Sequence, residues 1–516
     1  MVIAVSVAVA GCGSTVHIAS ANGTAQGGLG LGSPAPGGSA GSGSGFTTGA
    51  GADAAGGSGG ASGTAASGPN GSGGLTDTVA SGLTAASSTE AGPTGGASTA
   101  SGPTIGGIPA TGPGWNAKDV FIGLTTANDA ETGLRALGIS LDPGDEDGDA
   151  QAIVDYLNAH GGLFDRQVVL RAHDNSTAAL EANAAGAAEA NCTYFTQDDP
   201  VILVINTIST IDIDTFRSCL ATAHTPLLSL STAPFDDQTE AQYAPYYYNG
   251  VSVSWTALAS VFLQRLQARN FFTGWSSTTG AASPTSKPKV GVLYGTDAAG
   301  TRDGRALLAG LKADGYATDY FQDNGETDLS SAVLRFEQDG VTHVLGVDNS
   351  LYFFVLAAYS QAYLPRYGVN TYNGIQALIE GSPKAQLNGA EGVGWYPSLD
   401  VDSDAPGAPV GAGQPTCLSA LAAGGQTFAG HRFAEAVGLA ICDGVRLAVD
   451  GAAAGHGLSP QAVRQGIIAL GTTFPEAGGM SSGLSSSNFG LPGSGRDVVY
   501  NASCPCFQYS GGLYPV

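Results

Sequence analysis

The strongest constraint on the fold is an alternation of short apolar runs with amphipathic stretches, which begins near residue 118. The apolar runs are typical of buried strands, and the stretches between them repeat apolar residues at helical spacing. The same order of elements occurs twice, with the opening strands "VFIGL" (120–124) and "VGVLYG" (290–295). Strands that alternate with helices form parallel sheets covered on both faces. We therefore predict an α/β protein of two Rossmann-like lobes with parallel sheets, joined by a hinge.

The segment "NAHGGLFDRQVVL" (158–170) contains one of the predicted helix-to-strand steps. Apolar residues ahead of it recur at helical spacing, whereas Val168 and Leu170 after it alternate with their neighbours as in a strand. Gly161 and Gly162 lie between the two patterns. A residue just past a helix end often needs a left-handed conformation, which glycine adopts without penalty. We interpret both glycines as a helix end and not as ligand contacts.

The first part of the chain has a different composition from the rest. From Gly13 to Gly114 it is almost entirely Gly, Ser, Ala, Thr and Pro, with no Lys or Arg and one aromatic residue, Phe46. Such a segment cannot bury enough apolar surface to offset the entropy of ordering, so a disordered linker is predicted over 13–114. The expected division of the remainder is 115–252 for the first part of lobe 1, 253–374 for lobe 2, 375–490 for a return to lobe 1, and 491–516 for a C-terminal segment near the hinge and lobe 2.

Residues 1–12, "MVIAVSVAVAGC", form a short apolar run that ends in a cysteine. The run is too short to span a bilayer and is typical of the apolar part of a signal peptide. Its end resembles a bacterial lipobox, which implies a truncated signal peptide and a lipidated Cys12. No Lys or Arg precedes the run, so either the true start lies upstream or the match is fortuitous; the linker after Cys12 favours the former. We expect an extracytoplasmic protein anchored to the bacterial cell membrane through Cys12 alone.

Six cysteines remain besides Cys12, an even number that suits an exported and oxidised protein. Proximity in sequence favours the pairs Cys192–Cys219 and Cys417–Cys442. Cys504 and Cys506 are left for a third bridge, although a Cys-Pro-Cys pair would close a very tight ring. Neither a Cys-x-x-Cys pair nor a Cys/His spacing suited to zinc occurs, so no metal site is predicted.

Charge and motifs bear on the class of function. The net charge of −24 argues against nucleic acid as a partner. The pattern Gly-x-Ser-x-Gly occurs at 37–41 and 56–60, inside the expected linker and not at the strand-to-helix turn that a nucleophile needs. There is no phosphate-binding loop and no His-Glu-x-x-His. We therefore predict neither an enzyme nor a bound cofactor.

The segment "GDAQAIVDYLNAHGGLFDRQVVLRAHDNST" (148–177) resembles the first lobe of type I periplasmic binding proteins, most of all the branched-chain amino-acid (Leu/Ile/Val)-binding receptors of ABC importers. Their first lobe carries a helix ending in Asn-x-x-Gly-Gly, a strand and an Asp-rich loop, as in Asn158, Gly161, Gly162, Asp174 and Asn175 here. The resemblance covers most of 118–375.

This resemblance implies a receptor that binds a small polar ligand, such as an amino acid or a related metabolite, by closing a cleft. It also implies delivery of the ligand to the membrane subunits of an ABC importer. A ligand sensor without a transport role is the alternative, and an enzyme on the same scaffold is a less favoured one. Fold alone does not separate these functions.

Candidate ligand contacts in the first lobe are polar residues that directly follow strands, because ligands of open α/β sheets lie outside the carboxyl ends of strands. A helix expected over 211–223 would direct its N-terminus at a carboxylate, with Ser209 and Thr210 as hydroxyl donors. The alternative is that either residue merely caps that helix. In the receptors that the chain resembles, this loop and the next hold the ligand's carboxylate and amino group. The further candidates in this lobe are Thr125, Ser231 and Thr232.

The second lobe offers a carboxylate for the amino group of a ligand. We choose Asp348 for this role, since a buried cation needs a paired carboxylate. The family usually has Tyr near Asp348 and Glu near Asn373, and neither occurs here, so the identity of the ligand stays open. The other candidates in this lobe are Asp297, Asn349, Tyr372 and Asn373.

Overall fold

The computed structural model describes residues 103–136, 141–324, 329–402 and 409–516. The strands in these ranges are β1 (Thr104–Ile105), β2 (Ile108–Pro109), β3 (Asp119–Thr126), β4 (Gln167–Asp174), β5 (Val204–Asn206), β6 (Leu227–Ser229), β7 (Tyr247–Asn249), β8 (Trp275–Ser276), β9 (Ala281–Ala282), β10 (Lys289–Gly295), β11 (Ala317–Asp323), β12 (His343–Gly346), β13 (Arg366–Asn370), β14 (Glu391–Gly394), β15 (Ser494–Asn501) and β16 (Cys506–Pro515).

The helices occupy the stretches between strands, as the sequence pattern predicts. They are α1 (Ala130–Ala136), α2 (Glu146–Ala159), α3 (Thr177–Ala182), α4 (Ala184–Thr193), α5 (Asp214–Thr222), α6 (Asp237–Tyr243), α7 (Trp255–Ala268), α8 (Ala298–Ala313), α9 (Ser330–Gln338), α10 (Ser350–Ser360), α11 (Ile375–Gly381), α12 (Pro397–Asp400), α13 (Gln414–Ala423), α14 (Arg432–Ala454) and α15 (Pro460–Leu470).

The first lobe is built on a parallel sheet in the order β4-β3-β5-β6-β7. Every residue of β5, β6 and β7 is buried, so helices cover this part of the sheet on both faces. The step into β4 is formed as expected. α2 ends at Ala159, and Gly161 (φ 110°) and Gly162 (φ 64°) then take the left-handed region.

The second lobe is built on a sheet in the order β11-β10-β12-β13-β14-β15-β16. The first five strands are parallel, and β15 and β16 pair antiparallel at one edge. The two-lobed α/β fold with parallel sheets is therefore confirmed. The return to the first lobe expected at residue 375 needs correction, because β14 still pairs with β13. A β-carbon on Gly392 would lie 1.6 Å from the carbonyl oxygen of Val369, so this strand needs glycine and carries little apolar signal.

The chain passes between the two lobes three times: after β7, after β14 and before β15. α13 and α14 pack against α2, so the late part of the chain completes the first lobe. Aromatic side chains fill the space beside these crossings. The ring of Tyr372 stacks on Trp255 with centroids 5.6 Å apart, and Trp395 donates through its indole nitrogen to the carbonyl of Val251 at 2.8 Å.

One predicted helix is divided in two. The sequence predicts a single helix over 177–191, whereas the structure has α3 and α4 separated at Asn183. The Asn183 side chain accepts a hydrogen bond from the amide of Gly186, so it caps α4 and starts a new helix.

The hairpin of β1 and β2 corrects the predicted extent of the linker. These residues pack on the first lobe through Arg166, whose side chain is 1% exposed. The guanidinium donates to four carbonyl oxygens, including those of Ile105 (3.1 Å) and Pro109 (2.9 Å). Residues 103–114 are therefore ordered, because one buried cation uses their carbonyls as acceptors. The rest of the predicted linker, 13–102, and the lipidation expected at Cys12 lie outside the described residues.

All three expected disulfides are present. Cys192–Cys219 joins α4 to α5, and Cys417–Cys442 joins α13 to α14. Cys504–Cys506 closes the turn between β15 and β16. Within the described ranges no helix is long and apolar enough to cross a membrane.

We expect Arg166→Met to destabilise the protein by about 3 kcal/mol, since it leaves several buried carbonyl oxygens without a donor. The free energy of unfolding from urea titrations measures this loss. Arg135→Met is the matched control, because the Arg135 side chain is 68% exposed and pairs with Glu131 on the same helix. Equal stability of the two variants would contradict the role assigned to Arg166.

Candidate ligand-binding site

A cavity of about 560 Å³ lies between the carboxyl ends of the two sheets. Its first-lobe lining comes from the segments that follow β5 and β6, and its second-lobe lining from those that follow β10 and β12. Parallel strands bring their carboxyl ends to one edge, so loops distant in sequence meet there. The lining residues are Ser209, Thr210, Asp212, Ile213, Asp214, Thr215, Arg217, Thr232, Ala233, Pro234, Thr239, Gln242, Asp297, Ala298, Ala299, Arg302, Asp348 and Asn349.

Six of the ten predicted contact residues line this cavity: Ser209, Thr210, Thr232, Asp297, Asp348 and Asn349. Ligand contact by these six stays a prediction.

The other four predicted residues are buried outside the lining of this cavity, and ligand contact by them is likewise untested. Thr125 donates to Asn206 at 2.7 Å beneath the sheet edge. The hydroxyl of Tyr372 donates to the carbonyl of Val253 beside the hinge. Asn373 donates to the backbone carbonyl of Asp348 at 2.7 Å and so lies behind the cavity wall.

The fourth residue, Ser231, donates to the carboxylate of Asp212, which was not among the predicted contacts. Asp212 is 3% exposed and accepts from four side chains. The donors are Arg217 Nε (2.7 Å), Ser229 Oγ (2.6 Å), Ser231 Oγ (2.9 Å) and the Tyr247 hydroxyl (3.0 Å). Burial alone would raise the pKa of Asp212, but the charge of Arg217 and the hydroxyl donors bring it below its usual value. Asp212 is therefore a fixed anion in the floor of the cavity.

Arg217 brings a cation to the same wall. Its side chain is 8% exposed, and its guanidinium makes a cation–π contact with Tyr247, whose ring centroid lies 4.9 Å from the guanidinium carbon. Nε is used by Asp212, and Nη1 lies 3.9 Å from Asp214, beyond hydrogen-bond distance. Among the described residues no hydrogen bond to Nη1 or Nη2 is found. Two N–H edges of a guanidinium fixed by Asp212 are thus available to an anionic group.

Ser209 and Thr210 form part of a short 3-10 turn, and α5 begins only at Asp214. The helix start expected at Ile211 is therefore wrong by three residues, because the bonds to its carboxylate hold Asp212 in a non-helical conformation (φ −75°, ψ 60°). Neither hydroxyl caps α5. Both hydroxyl oxygens are buried without a hydrogen-bond partner in the described part of the chain. Buried hydroxyls of this kind are available to a ligand.

We define the first wall as Ser209, Thr210 and Arg217, and the second wall as Asp297 and Asp348. The carboxylates of the second wall converge on Gly295. A β-carbon on this glycine would lie 2.7 Å from Oδ2 of Asp297 and 3.4 Å from Oδ2 of Asp348. Burial, and then the charge of Asp297, raises the pKa of Asp348, although Ser350 donates to it. The second wall therefore favours a proton or a cationic group.

Arg302 of α8 joins the second lobe to the first across the rim of the cavity. It donates to both carboxylate oxygens of Asp236 and, at 3.2 Å, to the hydroxyl of Thr239. Asp236 is the N-cap of α6 and also accepts from the amide of Thr239. Burial would raise the pKa of Asp236, but these donors lower it. We call this contact the interlobe ion pair; it holds the lobes together beside the cavity.

The proteins similar to this chain are similar in structure and not detectably in sequence family. No protein-family model matches the sequence, and no curated protein is significantly similar to it. A type 1 periplasmic binding protein from Bordetella pertussis Tohama I matches with a TM-score of 0.52 and 15% identity, over 77% of this chain and 99% of that one. A branched-chain amino-acid ABC transporter protein from Thermus thermophilus with bound valine has a TM-score of 0.55 and 13% identity, over 77% and 97%.

This chain has the type I periplasmic-binding-protein fold. A solute-binding protein from R. palustris in complex with 4-hydroxybenzoate shares this fold at a TM-score of 0.54 and 12% identity, over 77% of this chain and 97% of that one. Proteins of the type I periplasmic-binding-protein fold thus hold ligands of different chemistry. The residues that line each cavity determine which ligand it holds.

Three charged residues of the cavity were not among the predicted contacts: Asp212, Arg217 and Arg302. Asp212 and Arg217 lie in a segment interpreted as one continuous helix, and Arg302 lies a full turn inside α8. The one signal in the sequence is scarcity of cations, since the chain has only 19 Lys and Arg residues. Among the described residues no group of three metal-ligating side chains occurs.

Asp303 lies next to the interlobe ion pair. We expect its ionisation to lower the free energy of unfolding as pH rises. Asp303 is 3% exposed, and burial followed by the charge of Asp236 raises its pKa to about 9. The native state therefore keeps a proton that the unfolded state loses above pH 4. Between pH 5 and 8 this lowers the free energy of unfolding by up to about 1.4 kcal/mol per pH unit.

Asp303→Asn should make the fall in the free energy of unfolding with pH less steep by the share of Asp303, which urea titrations at several pH values measure. Asp155→Asn, at an exposed position of α2, is the control for the change in net charge. A slope in Asp303→Asn as steep as in the wild type would show that Asp303 does not carry the proton.

Proposed function

We propose that this protein is an extracytoplasmic solute-binding receptor. It encloses a small zwitterionic ligand between its lobes and delivers it to the membrane subunits of an ABC importer. The observation that carries the proposal is the opposition of the two walls. Arg217 and two hydroxyls that have no hydrogen-bond partner among the described residues face the cavity from one lobe, and two carboxylates face it from the other.

The first wall suits the carboxylate of the ligand. A guanidinium binds a carboxylate through two parallel N–H bonds, and charge-assisted bonds of this kind are stronger than neutral ones. Ser209 and Thr210 add hydroxyl donors whose oxygens have no other use among the described residues. Asp212 fixes Arg217 in place, so little conformational entropy is lost on binding.

The second wall suits the amino group. Asp297 and Asp348 lie close enough for their charges to repel, and a cation between them relieves this repulsion. Asn373 positions Asp348 from behind by donating to its backbone carbonyl. The lobes therefore recognise opposite ends of the ligand, and both are satisfied only when the cleft is closed around it.

The size of the cavity and the ligands of proteins with the same fold are consistent with this proposal. A volume of about 560 Å³ lies within the usual range for small-molecule sites and leaves room for a side chain larger than that of valine. Valine and 4-hydroxybenzoate, the ligands of two proteins of the same fold, share a carboxylate. We propose that the second wall adds selectivity for an amine.

Export and lipidation at Cys12 belong to the same proposal and rest on the sequence. A cleft receptor serves an importer outside the cytoplasm, and a lipid anchor would keep it near the membrane subunits. The three disulfides are those of a protein that folds in an oxidising compartment. Radiolabelled fatty acid should enter the wild-type chain and not Cys12→Ala.

A thermal-shift screen of amino acids, other amine-bearing acids and their des-amino analogues should identify a ligand. A ligand at a hundredfold excess over Kd adds about 2.7 kcal/mol to the free energy of unfolding. For that ligand, Asp348→Asn should weaken binding by about 2–5 kcal/mol, because a buried ammonium loses its charge partner. Isothermal titration calorimetry measures the change.

The des-amino analogue is the matched control ligand. It has no ammonium group to pair with Asp348, so its affinity should not fall in Asp348→Asn. Unchanged affinity of the amine-bearing ligand in this variant would contradict an ammonium at the second wall. An absence of any hit in the screen would contradict the proposed function itself.

The interlobe ion pair should slow release of the ligand. Arg302→Gln removes its charge while keeping a donor for Thr239, so the closed state loses stability and ligand dissociation should quicken by about tenfold, or 1.4 kcal/mol. Stopped-flow release measures the rate. Arg305→Gln, at an exposed position of the same helix, controls for charge. Equal release rates from the two variants would show that the ion pair does not hold the cleft closed.

A further inference from the structure

The three disulfides differ in surroundings and in the length of chain that they enclose. Cys192, Cys417 and Cys442 are at most 1% exposed, and their bridges span 27 and 25 residues. Cys504 is exposed at the tip of the β15–β16 hairpin, and a single residue separates it from Cys506. The Cys417–Cys442 bridge is therefore closed to a reagent in solution, and Cys192–Cys219 is buried at one sulfur and half-buried at the other. Cys504–Cys506 is open to attack at the exposed Cys504.

The residue inside the small ring is held in an unusual conformation. Pro505 has φ of 23°, whereas the proline ring restricts φ to about −65°. A backbone this far from its preferred region stores strain that the rest of the hairpin must hold. Opening the bridge frees the turn between β15 and β16 and releases that strain. Strained and exposed disulfides are the ones that exchange readily, while buried ones resist reduction.

We propose that Cys504–Cys506 is a thiol–disulfide exchange site that takes two electrons from a dithiol. A thiolate of the dithiol attacks the exposed Sγ of Cys504, which forms a mixed disulfide and releases Cys506 as a thiolate that takes up a proton. The second thiol of the donor, after losing its proton, attacks the donor sulfur of the mixed disulfide. Cys504 leaves as a thiolate and is protonated, and the donor departs as a disulfide.

The surroundings of the two sulfurs favour this order of events. Cys506 is 7% exposed, so an incoming thiolate reaches Cys504 first. The side-chain amide of Gln508 lies 3.8 Å from the Sγ of Cys504 and donates to it, which stabilises negative charge there when Cys504 leaves. The site lies at the edge of the second sheet and contributes no residue to the cavity. It therefore adds an activity separate from the proposed ligand binding.

The test is a reduction series on the full oxidised chain, equilibrated with increasing reduced dithiothreitol against its oxidised form. Thiols are alkylated at equilibrium, and each bridge is measured by peptide mass spectrometry. Cys504–Cys506 should open at a dithiol ratio at least about tenfold below that for Cys192–Cys219, which corresponds to about 30 mV for a two-electron couple. Opening of the three bridges together, or of Cys504–Cys506 last, would overturn the proposal.

A second variant tests the source of the lability without removing a cysteine. Asparagine tolerates a positive φ better than most residues, so Pro505→Asn relieves the strain while the bridge can still form. Its midpoint should move to a higher dithiol ratio, and that of Cys192–Cys219 should stay unchanged as the internal control. A midpoint for Cys504–Cys506 that stays or falls would contradict a strained exchange site.

Discussion

The burial of one carboxylate, Asp212, determines the arrangement of the first wall. A buried charge without partners would cost several kcal/mol, so its donors must stay in place. They come from α5, β6, the loop after β6, and β7, which ties neighbouring segments along the carboxyl edge of the sheet. The same bonds keep Asp212 out of helical conformation and orient Arg217. Because α5 then begins only at Asp214, the hydroxyls of Ser209 and Thr210 do not cap it. The chemistry of this wall therefore depends on an anion that need not touch the ligand.

The charges of the two acids in the second wall repel each other, and Arg302, whose charge acts on Asp297, is already bound to Asp236. Protonation of Asp348 is one solution, and in the proposed function the ammonium group of a ligand is the other. Binding of an amine would then release a proton when it displaces one from Asp348. Closure excludes water from both walls and strengthens each charge interaction inside. The interlobe ion pair lies at the rim, where it favours this closed arrangement.

The fold could be predicted from the sequence because apolar periodicity marks strands and helices, and their alternation leaves few topologies. β14 was not predicted, because its sequence, Glu-Gly-Val-Gly, has glycines where neighbouring backbone lies close and so shows little apolar periodicity. The β1–β2 hairpin has the composition of a linker and is ordered by one distant arginine, Arg166. At the site, position after a strand identified six lining residues. It could not show that Ser231 and Tyr372 turn towards internal partners, because tertiary hydrogen bonds leave no local pattern.

The three crossings between the lobes set an order for folding as the chain emerges, N-terminus first. β3 to β7 emerge first, yet α13 and α14, which cover α2 and close the first lobe, lie more than 160 residues further along the chain. The parallel strands of the second lobe therefore emerge before the first lobe can bury its remaining face. Until then, the apolar side of α2 is exposed, and Cys417–Cys442 cannot form. A first lobe that stays incomplete until α13 and α14 emerge exposes apolar surface to which a holding chaperone can bind. For the same reason, neither lobe can be cut out as one contiguous fragment.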